Sequence, residues 1–479
     1  MSQSAVPLEV VPSAFAGLMG VARRDITPPA GIYARMWGAS THDLASGVHR
    51  PLTTTALALR ATPDGPLRLL VGIDLALLGD LGGLADTERV LSPVRDALGL
   101  APGQLLVNCS HTHSAPWAAT SRSHMPGGEL IGPYLDQLGE AIRDAGLEAV
   151  ANLVPATLTW ATGRCDLAGN RDLPDPAEGS DRVVCGYNPQ APADDTLVVG
   201  RVTADGDGAI VATIVNYACH PTTLAWENTL FSPDYIGAMR ELVEQHSGDA
   251  LCLFLHGASG ELGPAHQYVG DPAVADQHGR RLGFSALAAL TGMLPPGQAL
   301  GYAGVTESGA PLAVWLPTPF TPSRVLSGDA IDVPLPLKPM PTVAELEAQS
   351  AATDDRALQE RLFRKIQIVS SLGGGASQPF PAWVWRVGQS LLVAHPNEAY
   401  SCFQEDLRSA FPDHTVVVMN TSGQAEVGYL YPPELDGRNI YQVWQTPFAA
   451  DALPTLTEQC IAEGRRLFAL DTAAGADAA

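Results

Sequence analysis

The sequence predicts a mixed α/β architecture: β-sheets with flanking helices and an active site at the carboxyl ends of strands. Three observations carry this. Short apolar runs are bounded by Gly, Pro, Asn or Asp, amphipathic stretches alternate with them, and Gly 47 and Pro 39 in 479 residues stand well above the roughly 12 % of average usage. A chain so punctuated is rich in turns and does not form a helical bundle. The runs 67–73 (LRLLVGI), 104–107 (QLLV), 210–217 (IVATIVNY), 251–255 (LCLFL), 391–394 (LLVA) and 415–419 (TVVVM) are too short for helices and read as buried strands. Apolar residues recur three and four apart over 87–98, 134–151, 235–245, 345–369 and 455–467, the spacing of helices with one buried face. Alternation of the two kinds of element gives the fold class. The spacing is too irregular for an eight-fold barrel, and no internal repeat is present.

Residues 1–470 read as one domain, with 333–341 (VPLPLKPMP) as an internal connector and 471–479 (DTAAGADAA) as a disordered tail. Lys+Arg 28 against Asp+Glu 51 gives a net charge of −23, which argues against partners that are nucleic acids or anionic membranes. No run reaches the 18 or more apolar residues of a membrane span. The first 25 residues lack the basic start of a signal peptide, and Glu9 interrupts their apolar residues. Seven scattered cysteines form no CxxC pair, as in a reducing compartment. These features together point to a cytoplasmic protein.

Chemistry collects just after the strands. Run 104–107 leads into Ser110-His111-Thr112-His113, run 210–217 into Cys219-His220-Pro221, run 251–255 into His256-Gly257-Ala258-Ser259, and run 391–394 into His395-Pro396-Asn397-Glu398. Run 415–419 enters a Gly-rich loop with Tyr429 and Tyr431. Open α/β sheets bind ligands at the carboxyl ends of their strands, so these ends suggest one convergent site. His-x-His in an extended segment puts both imidazoles on one side, and imidazole is a common metal ligand. By itself the pair reads equally as hydrogen-bonding residues at a strand end. A third histidine and a carboxylate in like positions favour a metal, zinc above others. Cys109 and Cys219 read as small buried apolar residues.

Several ordered blocks resemble one family. Gly20-Val21-Ala22-Arg23-Arg24-Asp25-Ile26-Thr27-Pro28-Pro29 is similar to its N-terminal signature, and Gly47-Val48-His49-Arg50-Pro51-Leu52 and Ser110-His111-Thr112-His113-Ser114 to its next two blocks. Asn170-Arg171, Asn216-Tyr217-Ala218-Cys219-His220-Pro221-Thr222, Pro396-Asn397-Glu398 and Gly428-Tyr429 follow in the same order. The family is the neutral/alkaline (non-lysosomal) ceramidases, zinc-dependent amidases that cleave the N-acyl bond of ceramide, and the resemblance covers residues 20–467, its catalytic domain only. It implies Zn2+ held by His111, His220, Glu398 and Tyr429, with His113 handling protons and Arg171 and Tyr441 beside the scissile group. Read without the family, Arg171 is a salt-bridging residue and Tyr441 a core aromatic.

Two departures are visible. The family's Gly-Asp-x-Ser-Pro segment, whose serine lies at the active site, corresponds here to Gly260-Glu261-Leu262-Gly263-Pro264, so glycine stands at the serine position. The chain also ends soon after the last catalytic block, and the expectation is that it has no C-terminal immunoglobulin-like domain. The resemblance therefore implies hydrolysis of a linear carboxamide by metal-activated water, on a small-molecule or lipid amide other than ceramide. The alternatives are a zinc-dependent esterase or lactamase acting on a small polar substrate, and a non-catalytic binding relative.

Overall fold

The computed structural model describes residues 7–177 and 179–476, with side chains to Ala469. Its centre is an eight-stranded sheet in the order Leu251–His256, Ile210–Tyr217, Thr196–Ala204, Val154–Arg164, Ala14–Asp25, Thr53–Arg60, Arg68–Ile73, Leu105–Cys109. The pair at each edge is parallel and the strands between are antiparallel. A second sheet has the order Leu326–Pro336, Ser377–Val387, Ser390–Ala394, Thr415–Met419, the last two parallel. All six predicted strands are present. The four central strands of the large sheet escape short-run reading because they are long and rich in Ala, Thr and Gly.

The alternation of side chains along each strand builds four layers. Leu392, Ala394, Val417 and Met419 of the small sheet face Leu70, Leu106, Leu253 and Leu255 of the large one in a shared core. On the far face of the large sheet, Ile131–Ala151 and Ala85–Leu98 cover one half through residues such as Leu135, Ile142 and Val90. Tyr235–Gln245 and Pro272–Thr291 cover the other half through Ile236, Met239 and Leu282. Cys402–Ala410 and Ala452–Ala476 cover the outer face of the small sheet through Phe403, Leu407 and Leu456. Both sheets are thus buried on both faces, which explains runs such as LRLLVGI in place of strict polar alternation.

Three local expectations need correction. The single helix over 345–369 is two, Val343–Ala351 and Arg356–Ser371. Asp355 starts the second by accepting from the Ala357 and Leu358 amides at 2.8 and 3.2 Å, and a capping carboxylate of this kind breaks a continuous helix. The connector over 333–341 begins inside the Leu326–Pro336 strand; that strand lies at an edge, where proline is tolerated. The expected tail starts inside the Ala452–Ala476 helix, consistent with the high helix propensity of its alanines; residues 477–479 lie outside the described residues.

The large sheet curls until its two edges meet. Gly72 permits this: a Cβ there would lie 2.8 Å from Leu253 and 2.9 Å from the Phe254 carbonyl. Where the edges meet, asparagine side chains join the carboxyl ends. Asn108 accepts from the His256 amide (2.7 Å) and donates to the Asn420 carbonyl (2.6 Å) and Ser422 Oγ (2.9 Å). Asn216 donates to the Leu255 and Val418 carbonyls at 3.0 and 2.8 Å.

Replacing Asn108 with Ala removes three buried hydrogen bonds and orphans the His256 amide. The expected cost is about 2–4 kcal/mol, read as a lower urea midpoint at unchanged slope; a loss under about 0.5 kcal/mol would show that the staple is dispensable.

Candidate metal centre and cavity

Strand ends deliver the side chains. Residues just beyond Leu105–Cys109, Ile210–Tyr217 and Ser390–Ala394 are His111, His220 and Glu398, and one ligand atom from each lies within 4.8 Å of the others. All three are buried. Glu398 and Tyr429 are register partners in a short parallel ladder, with the Glu398 amide donating to the Gly428 carbonyl at 3.2 Å. Partners in such a ladder present their side chains on the same face.

His111 reaches the site by another route than the extended segment expected. Its backbone is left-handed, with φ 66°, a conformation that costs a non-glycine residue about 1–2 kcal/mol. The amides of Ser110 and His111 donate to the Ile73 and Leu75 carbonyls, both at 2.8 Å, and fix the turn. His113 still arrives beside His111, ring centroids 4.9 Å apart and nearly perpendicular.

The protonation pattern is set by carbonyl groups. His111 Nδ1 meets the Ala76 carbonyl at 2.8 Å, and His220 Nδ1 the Ser259 carbonyl at 2.7 Å. Both nitrogens must donate, so in the neutral ring it is Nε2 that carries the lone pair. Those lone pairs face one carboxylate oxygen, Glu398 Oε2, at 3.4 Å from His111 and 2.8 Å from His220. Burial holds His220 down to about 4, followed by the Arg171 charge, so it stays neutral at ordinary pH. Burial pushes the Glu398 carboxyl up, and what holds it well below the usual range is positive charge or N–H donation from His111 and His220, a role that a cation between them takes over when both rings are neutral. Two lone pairs against a carboxylate repel unless a cation lies between them. Zinc with ligands at about 2.0–2.1 Å sets adjacent ligand atoms about 3.3 Å apart, close to the separations found. The residues fit the metal.

Around this triad lie the other predicted residues. Arg171 is buried; its guanidinium donates to the Gly260 carbonyl at 2.8 and 3.2 Å and to the Tyr429 hydroxyl at 3.3 Å. Burial, then Glu398, raises the Tyr429 phenol well above its ordinary value, with Arg171 opposing. The Tyr441 ring lies 5.6 Å from that of Tyr429. His113 has no partner on either ring nitrogen among the described residues, and burial, then the two neighbouring imidazoles, lowers it. His113, Arg171, His220, Tyr429 and Tyr441 line one cavity of about 600 Å³, with Trp37, Tyr268 and Trp444 among its aromatic walls. Behind it, His111, Glu398, Tyr429 and Tyr441 line a chamber of about 50 Å³.

The glycine at the family's serine position has a physical counterpart. A Cβ on Gly263 would lie 3.0 Å from Gln267 Oε1. The Gln267 side chain is held there by Thr222 Oγ1 (2.7 Å) and the Gly186 carbonyl (2.9 Å). Ser259 is no substitute: its fully buried hydroxyl bridges His256 Nε2 (2.9 Å) and His220 Nδ1 (3.1 Å), on the side of His220 away from Glu398.

Sequence reading missed Glu426 and left Glu261 and His256 without a role. Glu426 lines the chamber, and burial together with the adjacent Glu398 raises its carboxyl well above the usual range; its position three residues before Tyr429 was the available signal. Glu261 takes the Ser401 amide at 2.9 and 3.0 Å and the Ser401 hydroxyl. His256 is buried and stacked on His111 at 5.3 Å, while His266 is exposed and contacts His278.

Comparison with known proteins agrees with this fold. No family model matches the chain. Over 248 residues it is 27 % identical to a neutral ceramidase of Oryza sativa subsp. japonica, a match covering 49 % of this chain and 30 % of that protein. The neutral ceramidase of Pseudomonas aeruginosa superposes with a TM-score of 0.68 at 16 % identity, over 96 % of this chain and 75 % of that one. The chain resembles the neutral ceramidases in fold and, over about half its length, in sequence. A ceramidase complexed with C2 shares the same ceramidase fold, with a TM-score of 0.66 at 15 % identity over 96 % of this chain and 76 % of that one. The curated relative is thus matched over less than a third of its length.

Glu261 yields a pH test. Burial pushes its carboxyl up to about 7, against the hydrogen bonds from Ser401. Between about pH 4.5 and 7 the folded state therefore holds a proton that the unfolded chain releases, so this group's stabilisation is present at low pH and lost as pH rises. The unfolding free energy of the wild type relative to Glu261→Gln should fall across that window by at most about 1.4 kcal/mol per pH unit. A flat difference in paired urea titrations from pH 4.5 to 7.5 would place the carboxyl in its usual range.

Proposed function

We propose that the protein is a zinc-dependent hydrolase of linear carboxamides, with the ion held by His111, His220, Glu398 and Tyr429. The observation that carries the reading is the convergence of two buried imidazole Nε2 atoms on one buried carboxylate oxygen, Glu398 Oε2. Zinc at such a position polarises a carbonyl and lowers the pKa of water to near neutrality.

The chain supplies the rest. His113, with both ring nitrogens free to face the cavity, takes a proton from the attacking water and returns it to the leaving nitrogen. Tyr441 donates its phenolic proton to the oxygen on which charge develops. Arg171 fixes the Tyr429 oxygen by donating to it and adds a permanent positive charge beside the reacting group. No side-chain hydroxyl stands at Gly263, and the space next to it is filled by Gln267. Water, not a covalent acyl-enzyme, is then the nucleophile. The aromatic walls exclude solvent and accept the acyl portion. The preference for a substrate other than ceramide rests on the altered serine position.

Chelation should abolish amide turnover, and zinc at about one ion per chain should restore it. His220→Ala should lose both metal and activity; firm zinc binding in that variant would break the ligand assignment. His113→Ala should keep its zinc and lose about two to four orders of magnitude in kcat, and Tyr441→Phe about a hundredfold. Near-normal turnover by folded, zinc-loaded His113→Ala would remove that histidine from proton transfer. A matched panel of N-acyl sphingosines and short-chain amides decides the substrate: preference for the sphingosines would make the chain a ceramidase proper.

A further inference from the structure

The 600 Å³ cavity is lined by cations in a protein of net charge −23. Arg171, Arg182, Arg361 and Arg364 face it, against one carboxylate, Glu360. Glu360 is already shared: Arg122 lies 2.7 Å from both its oxygens, Arg364 at 3.0 Å and Arg35 at 3.4 Å. Arg182 pairs with Asp175. Two guanidiniums remain without a carboxylate in ion-pair contact among the described residues. Arg171 is buried and its guanidinium is bonded to neutral oxygens, among them those of Gly260 and Tyr429. Arg361 is exposed and lies over the Trp444 indole at 4.8 Å.

A guanidinium resting on an indole face keeps its in-plane N–H groups free for an anion and loses little freedom when it binds one. An excess of one sign in a cleft with low-dielectric walls also concentrates ligands of the other sign. A neutral amide makes no use of either feature. Resting on the hydrolase reading for the scissile bond, we propose that the substrate is an amide bearing an anionic group, a carboxylate or a phosphate, and that Arg361 on Trp444 is its outer anchor. Arg171 stays with the reacting group, so the anion lies at the mouth and the acyl group against the aromatic walls.

The test compares N-octanoylglycine and N-octanoylphosphoethanolamine with neutral N-octanoylethanolamine on the zinc-loaded full chain. At low ionic strength at least one anionic amide should exceed the neutral one in kcat/KM by about tenfold or more, and the ratio should shrink with added salt. Which of the two leads identifies the anion. Arg361→Gln should reduce that ratio about tenfold, through KM with kcat held, and Arg361→Lys should restore part of it. Equal or better turnover of the neutral amide, or an unchanged ratio in Arg361→Gln, would overturn the anionic substrate and leave the amidase standing. If no amide is turned over, calorimetric binding of the same three compounds decides. Preference for an anion that is lost in Arg361→Gln would keep the anchor and sink the hydrolase, whereas no preference would end the proposal.

Discussion

Everything at this site depends on how far apart the carboxyl ends of two sheets are held, and buried asparagine amides set that distance. Asn108 ties its own strand end to His256 and Asn420, and Asn216 ties the neighbouring end to Leu255 and Val418. Hydrophobic contact alone would let the sheets slide, because dispersion is non-directional. A side-chain amide in a dry core has directional partners and a high cost if they are lost. The candidate ligands His111, His220 and Glu398 come from three strand ends in two sheets, so their convergence inherits the precision of these bonds.

Electrostatic frustration is built on that frame. Carbonyl groups of Ala76 and Ser259 dictate which imidazole nitrogens carry protons, and burial keeps His220 from taking a second one. The left-handed backbone at His111 is a further strain held by two hydrogen bonds. Such costs persist where the surrounding structure over-determines them, and they gather at functional sites. A cation relieves the repulsion between neutral rings and carboxylate while satisfying His111 Nε2, otherwise buried without a hydrogen-bond partner among the described residues.

The region of the altered serine shows how one substitution is absorbed. Gly263 sits in a two-stranded ladder opposite Gly169, and Gln267 closes over the space where a side chain would stand. The polar pocket is therefore filled and its hydrogen bonds used, instead of being left as a cavity.

The sequence alone determined the αβ alternation, six strands, the strand-end positions of His111, His220 and Glu398, and, through its ordered blocks, the resemblance to the neutral ceramidases. Those features are local, because a short buried run and the polar residue following it stay together in any fold. The central strands were hidden, since long Ala- and Thr-rich segments buried on both faces carry neither a compact apolar run nor an alternating one. The break at Asp355 was hidden because capping outweighed the helical period. Only the tertiary structure decided that Glu426 meets Glu398, that His256 stacks on His111, and that His111 turns left-handed. It also decided which arginines face the cavity without a carboxylate. Each of these depends on partners tens to hundreds of residues away, and pairing at that range is set by sheet curl and layer packing, which no local spacing encodes.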